Sequence, residues 1–186
     1  LQAKRWAHQG AGAAPLVTAE RLETDHSGRV LKHYHQVNTA PERELLSQHY
    51  NEQGQLMQKN VLGEAAPLQT IDYQYNIRGW LTHINQAELE DTDDLFGMEL
   101  AYDAGFDQKR YDGNIAGVRW SNALEQRPQA YGYRYDPLSY LQGADYLAGA
   151  DYSEDEGRYS LQALDYDHNG QITHLQRYGL YQGRRV

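Results

Sequence analysis

The chain contains no cysteine, which excludes disulfides, thiolate metal ligands and a cysteine nucleophile; its stability must come from burial and backbone pairing. Large apolar rings are scarce too, with 2 Phe and 3 Trp. No apolar run approaches the roughly 20 residues that a membrane-spanning helix requires, and nothing at the N-terminus resembles a signal peptide. Basic residues are the minority charge, 17 Lys and Arg against 26 Asp and Glu, and the net charge of -9 argues against a nucleic-acid-binding surface. Also missing are a Gly-x-Ser-x-Gly elbow, a phosphate-binding loop and a dinucleotide fingerprint. No initiator Met is present, so a chain opening at Leu1 reads as a piece of something longer, and localisation is not written in any targeting signal.

Tyrosine is abundant. Sixteen Tyr and 40% hydrophobic residues overall are enough to order one domain of ordinary size. Tyr suits a half-buried sheet face, where the ring packs and the hydroxyl reaches water or a backbone group. An extended, much-exposed sheet is the expectation.

The tyrosines come with a recurring turn. Asp25-His-Ser-Gly28 precedes Val30, Asn51-Glu-Gln-Gly54 precedes Leu56, Asn76-Ile-Arg-Gly79 precedes Leu81, and Asp167-His-Asn-Gly170 precedes Ile172. A type I turn favours Asp or Asn at its first position, and Gly supplies the positive φ of the bulge that restores strand twist. Each copy is read as a hairpin tip. Tyr50, Tyr75 and Tyr166 stand just before three of these tips and Thr24 before the other. Each faces the later aliphatic residue across the two strands, a contact worth roughly 0.2 to 1 kcal/mol. Asp136-Pro-Leu-Ser139, after Tyr135 and before Leu141, is a fifth copy with Pro137 at the favoured second position. Ser139 in place of Gly means either strain at positive φ or a looser turn of another type. Asp112-Gly113, after Tyr111, reads as a sixth, shorter two-residue tip.

Gly28, Gly54, Gly79, Gly113, Ser139 and Gly170 are separated by 26, 25, 34, 26 and 31 residues, which is an internal repeat. A unit of this length holds two strands, a tip and a return loop, and is stable only when stacked on its neighbours. Alternation places Ile71, Tyr73 and Tyr75 on one face, likewise Tyr131, Tyr133 and Tyr135, and Ala116, Val118 and Trp120. Residues 1–16, with the Gly/Ala run at 10–14, read as a linker or a partial preceding repeat, and 17–186 as repeats. Pro41 to Leu46 is a candidate turn and Gln86 to Asp94 the best short helical stretch; almost no helix is expected. The predicted fold class is all-β, with stacked antiparallel hairpins forming a twisted, spiralling sheet or shell segment.

The form Tyr-Asp-x-x-Gly-x-Leu resembles the YD repeats of Rhs proteins and teneurin-like shells. The stretches 72–85, 94–102 and 111–120 are similar to Rhs-repeat proteins of Bacteroidetes in particular. The resemblance spans roughly Ala19 to Gly179. It implies a β-cocoon, secreted or displayed at the cell surface, that commonly encloses a toxin at the C-terminal end of its chain. The partners it implies are neighbouring repeats of the same chain and an enclosed cargo, with no nucleic acid and no membrane span. The conserved self-cleaving core found in the family has no counterpart here, and Asp136-Pro137 is the turn of a repeat. A non-catalytic role without cofactors is expected.

Several residues invite a chemical reading. Asp165, Asp167, Asn169, Gly170 and Ile172 match the start of an EF-hand calcium loop, but Gln176 stands where the bidentate Glu belongs. His33 and His35 alternate as a two-His metal site would, with His49 as the third ligand a neighbouring hairpin could bring; histidines on an exposed strand face are the commoner explanation. His83 and His174, each four residues past a tip Gly, follow the repeat. The acidic run Glu88, Glu90, Asp91, Asp93 and Asp94 reads as a solvated loop before it reads as a cation site. No catalytic and no metal residue is assigned. The strongest alternative is a carbohydrate-binding or adhesive surface built on Tyr rows, against which stands their recurrence at the repeat's own contact positions.

Overall fold

Strands built from alternating aromatic, aliphatic and polar residues can satisfy their backbone only by pairing sideways, and the computed structural model shows them doing so. It describes residues 2–12, 14–87, 89, 93–125, 127–154, 157–181 and 184–185. Two compact units divide the chain, Leu1–Tyr73 and Gln74–Val186. No helix occurs among the described residues.

In the first unit β1 (Gln2–His8), β2 (Leu16–Thr24), β3 (Val30–Val37), β4 (Arg43–Tyr50), β5 (Leu56–Val61) and β6 (Gln69–Tyr75) pair antiparallel in chain order. The last two residues of β6 fall in the second unit. There β7 (Leu81–Ile84), β8 (Phe96–Ala101), β9 (Gly117–Asn122), β10 (Gln129–Tyr135), β11 (Leu141–Ala148), β12 (Leu161–Tyr166) and β13 (Ile172–Arg177) follow the same rule. A short backbone pairing of β14 (Leu180–Tyr181) with β15 (Arg184–Arg185) comes last. The fold is all-β, made of consecutive antiparallel strands.

Near the N-terminus Gln2–His8 is a strand paired along its length with β2, and the turn expected from Pro41 to Leu46 gives way to β4 from Arg43 onward. Within 86–94, the described residues Gln86, Ala87, Leu89, Asp93 and Asp94 carry no helix. Local propensity there yields to the closure of β7 onto β8, with His83 opposite Glu99.

The two units bury different chemistry. Among the described residues of the first, the buried side chains are Ser47 and Asn60; Asn60 donates to Ser47 Oγ at 3.3 Å and accepts from Thr70 Oγ1 at 3.0 Å, a polar ladder across β4, β5 and β6. The same face carries ion pairs, Arg21 to Glu42 at 2.6 Å and Lys32 to Glu64 at 2.6 Å. The second unit adds small apolar residues, Ala101, Ala116, Ala130, Ala144 and Ala148, with Tyr102, Tyr146 and Leu164, to the buried polar Asn85, Ser121 and Ser160. Small side chains leave room for connecting segments to lie directly on the sheet. Gly117 and Gly132 are paired across β9 and β10, and the Phe106 ring from the connection 102–116 covers both. A Cβ at Gly117 would come within 2.5 Å of that ring, and one at Gly132 within 3.2 Å.

Candidate functional site

The features that recur along the chain are the hairpin tips and the residues that join one hairpin to the next. The tips are the starting point. At Asp25 the backbone closes twice, Gly28 N–H to Asp25 O at 3.1 Å and Asp25 N–H to Arg29 O at 2.9 Å. Asp25 Oδ1 meanwhile accepts from the amides of Ser27 at 2.8 Å and Arg29 at 2.9 Å. Asn76 takes Arg78 and Trp80 in the same way, both at 3.0 Å, and Asp167 takes Asn169 at 2.8 Å and Gln171 at 2.9 Å. Asn51 Oδ1 accepts from Gln55 N–H at 2.9 Å, with Gly54 N–H closing on Asn51 O at 2.9 Å. The glycines sit at φ of 82° (Gly28), 82° (Gly54), 79° (Gly79) and 78° (Gly170). Register shifts just before Thr24, Tyr50, Tyr135 and Tyr166 mark the bulges, and Thr24, Tyr50, Tyr135 and Tyr166 face Val30, Leu56, Leu141 and Ile172.

Asp136 forms the same tip. Its Oδ1 accepts from Leu138 and Tyr140 amides at 2.9 Å each, and Ser139 N–H closes on Asp136 O at 3.0 Å. Ser139 holds φ 67°, so the turn keeps its type and the serine bears the left-handed backbone. Its hydroxyl is held by Asp112 Oδ2 at 3.0 Å and Arg110 Nη2 at 2.6 Å, bonds a glycine could not make.

The tip expected at Asp112-Gly113 is corrected by the structure. Ala101 pairs with Gly117, so residues 102–116 lie outside both strands and the hairpin is opened by Tyr102-Asp103 instead. Arg110 N–H bonds Tyr102 O at 2.6 Å, drawing the excursion back. Asp112 and Gly113 end this strap: Asp112 Oδ1 accepts from Asn114 N–H at 3.2 Å, and Gly113 has φ 95°. Local turn chemistry at Tyr111-Asp112-Gly113 resembles a hairpin, but strand register decides where the chain reverses. Burial works to raise the Asp112 carboxyl, yet Arg110, the Asn114 amide and the Ser139 hydroxyl together hold it down at about 2.

A clamp between successive hairpins then becomes visible. Four tyrosines at hairpin openings donate their hydroxyls to an aliphatic residue's carbonyl just past the preceding tip or strap: Tyr50 to Val30 at 3.1 Å, Tyr102 to Leu81 at 2.9 Å, Tyr135 to Ile115 at 2.8 Å and Tyr166 to Leu141 at 2.8 Å. A cation or ring from the preceding segment covers the same tyrosine. Arg29 lies 4.8 Å from the Tyr50 centroid and Arg110 4.7 Å from Tyr135, while Trp80 meets Tyr102 and Tyr140 meets Tyr166 at 5.0 Å each. Burial pushes the Tyr102, Tyr133 and Tyr135 hydroxyls above the usual tyrosine range. From sequence alone each Tyr faces only the other strand of its own hairpin. The signal in the sequence is that Tyr50, Tyr102, Tyr135 and Tyr166 each bond the residue two places after Gly28, Gly79, Gly113 or Ser139, together with the Tyr102-Asp103 dipeptide.

The other candidate residues fall into place around this frame. Asp167 Oδ1 is engaged by two backbone amides, Asp165 faces His174 on the neighbouring strand, and Gln176 faces Ala163. His33 and His35 share a face with Leu22 and Glu20, and His33 Nε2 lies 3.7 Å from Glu20 Oε2. His49 does not join them: it alternates with Ser47 on the opposite face and meets Glu64 at 3.4 Å. His83, like His174, faces an acid across the strand pair, Glu99 in its case. Glu88, Glu90 and Asp91 lie outside the described residues.

Tyr131 stacks with Trp120 at 5.7 Å and Tyr133 at 6.3 Å and tilts against Tyr146 at 5.2 Å; Tyr131 donates to Tyr159 O at 3.3 Å and Tyr146 to Gln129 Oε1 at 3.0 Å. On the other face of the second unit is a cleft of about 510 Å³ bordered by Phe106, Arg119, Arg134, Asp145, Leu147 and Tyr152. Both of its arginines are engaged: Arg119 bonds Glu99 at 2.8 Å and Gly105 O at 2.7 Å and lies over Phe106, while Arg134 pairs with Asp145. The Arg119 contacts fasten the strap to the sheet.

No known protein family and no curated protein matches the sequence. Among solved structures, the crystal structure of TcdB2-TccC3-Cdc42 is similar, with a TM-score of 0.40 and 13% sequence identity over 98% of this chain. This chain spans 13% of the length of the chain it matches there.

Proposed function

We propose that the chain is a non-catalytic wall segment of an Rhs-type β-shell, secreted or at the cell surface, that encloses or presents a C-terminal cargo. The observation that carries this reading is the repeated clamp, in which four tyrosines, Tyr50, Tyr102, Tyr135 and Tyr166, bond the hairpin before their own. Such a module has no closed core of its own and is completed by its neighbours, as a wall built by accretion requires. The Tyr-rich repeats 17–186, with their resemblance to YD repeats, support the same assignment. Its partners are then the adjoining repeats and the cargo.

A carbohydrate-binding or adhesive surface is the competing reading, and the tyrosine contacts weigh against it: Tyr131, Tyr135, Tyr146 and Tyr166 spend their hydroxyls on the protein itself. The test is electron microscopy of the full-length product together with protease challenge of its C-terminal region. A hollow particle whose interior segment resists digestion, and loses that resistance when one hairpin such as 129–148 is deleted, is the expected result. A solid particle, or a cargo digested equally fast in both forms, would overturn the enclosure reading. Specific glycan binding abolished by Tyr131→Ala would favour the adhesive one.

A further inference from the structure

Asn169 differs from the other asparagines at the hairpin tips. Asn51 and Asn76 occupy the first turn position, where their side-chain oxygens are bound by backbone amides. Asn169 occupies the third position, is exposed, and is followed by Gly170, the one Asn-Gly pair in the sequence. Its backbone N–H bonds Asp167 Oδ1 at 2.8 Å, and no hydrogen bond of its side-chain amide is seen among the described residues. A glycine on the C-terminal side leaves the path to the Asn side-chain carbon unobstructed.

Asp112-Gly113 serves as an internal contrast. It has the same glycine neighbour, but Arg110 and Ser139 hold the Asp112 side chain as a bound carboxylate anion, a poor electrophile. The neutral amide of Asn169 has no such protection. What restrains it is the tip itself, through the Gly170 N–H to Asp167 O bond at 3.1 Å. That restraint is slight, because every residue of the adjoining strand β13 is exposed and local opening of such a segment costs little.

We propose that Asn169 is a site of spontaneous deamidation and isoaspartate formation. The Gly170 amide nitrogen, giving up its proton to solvent base, bonds to Asn169 Cγ. The Cγ–Nδ2 bond breaks and the nitrogen leaves as ammonia, which closes a cyclic imide. Water then adds to either imide carbonyl and opens the ring to aspartate or isoaspartate; nothing is oxidised or reduced. The new carboxylate joins a tip already held by the Asp167 carboxylate, and isoaspartate adds a methylene to the backbone of a turn whose amides at 169 and 171 are both bound by Asp167. The modification therefore loosens the β12–β13 tip, and the inference is independent of the shell reading.

The experiment incubates the purified chain at 37 °C and mildly alkaline pH, in parallel with a synthetic peptide of residues 159–177. Tryptic mapping follows mass, and an isoaspartyl methyltransferase assay follows isoaspartate. Expected is a gain of one mass unit in peptide 159–177 of the folded chain ahead of every other asparagine, with methyl acceptance that Asn169→Gln and Asn169→Ser both remove. Faster hydrogen exchange at the 169 and 171 amides of aged material should accompany it. Conversion of the free peptide with none in the folded chain, earlier conversion of another asparagine, or conversion of neither sample overturns the proposal.

Discussion

A single hydroxyl and a single dihedral angle carry most of what distinguishes this chain at the residue scale. Tyr135→Phe keeps the ring under Arg110 and removes only the bond to Ile115 O, so a loss of about 1 kcal/mol is expected, read as a lower denaturant midpoint. Tyr111→Phe, on an exposed ring with no hydroxyl bond seen among the described residues, is the matched control and should leave the midpoint unchanged. Gly54→Val forces a β-branched residue to φ 82° and should cost about 1 to 2 kcal/mol or more. Asp165→Ala, exposed on β12, should stay within about 0.5 kcal/mol. A calcium-dependent rise in melting temperature abolished by Asp165→Ala would contradict the assignment of that turn as a plain hairpin tip.

Between strands, the strap 102–116 is the element whose loss should be most visible. Gly117→Leu drives a side chain into the Phe106 ring, with an expected cost of about 1 to 3 kcal/mol. Because Arg119 also rests on Phe106, the strap should then become cleavable by protease while the β10–β11 hairpin stays protected, which limited proteolysis with peptide mapping can check. Hairpins were legible in the sequence wherever Asp or Asn, Gly and the aliphatic residue kept their spacing, since those residues encode the turn locally. The strap was not: Arg110 comes back to Tyr102 because Ala101 pairs with Gly117, a fact of register that no local motif states. The clamps escaped for the same reason, since Tyr50 reaches Val30 only through the way β4 lies against β3.

Taken whole, the molecule leans on surface charge in its first unit and on small buried residues in its second. Glu42 and Glu64 titrate below the usual carboxylate range because Arg21 and Lys32 bond them, and Asp112 in the second unit lies at about 2. Carboxyls lowered in the folded state contribute stability that is complete above their unfolded value of about 4 and is lost as pH falls through the folded values. Acid should therefore destabilise the chain between about pH 4 and pH 2, and Asp112→Asn should flatten that dependence, as melting curves over this range would record. The polar character of the first unit was hidden from sequence reading, because Ser47, Asn60 and Thr70 look like loop residues until β4, β5 and β6 align them.

The tyrosine clamps all point one way. Each donor belongs to the later hairpin and each acceptor to the earlier one, from Tyr50 onto Val30 through Tyr166 onto Leu141. During synthesis a chain emerges N-terminus first, so every new tyrosine finds its acceptor already made and folded. Growth of this kind proceeds like a ratchet, with each turn locking onto the last, and a ribosome pausing mid-array would leave behind a finished edge instead of a half-built core.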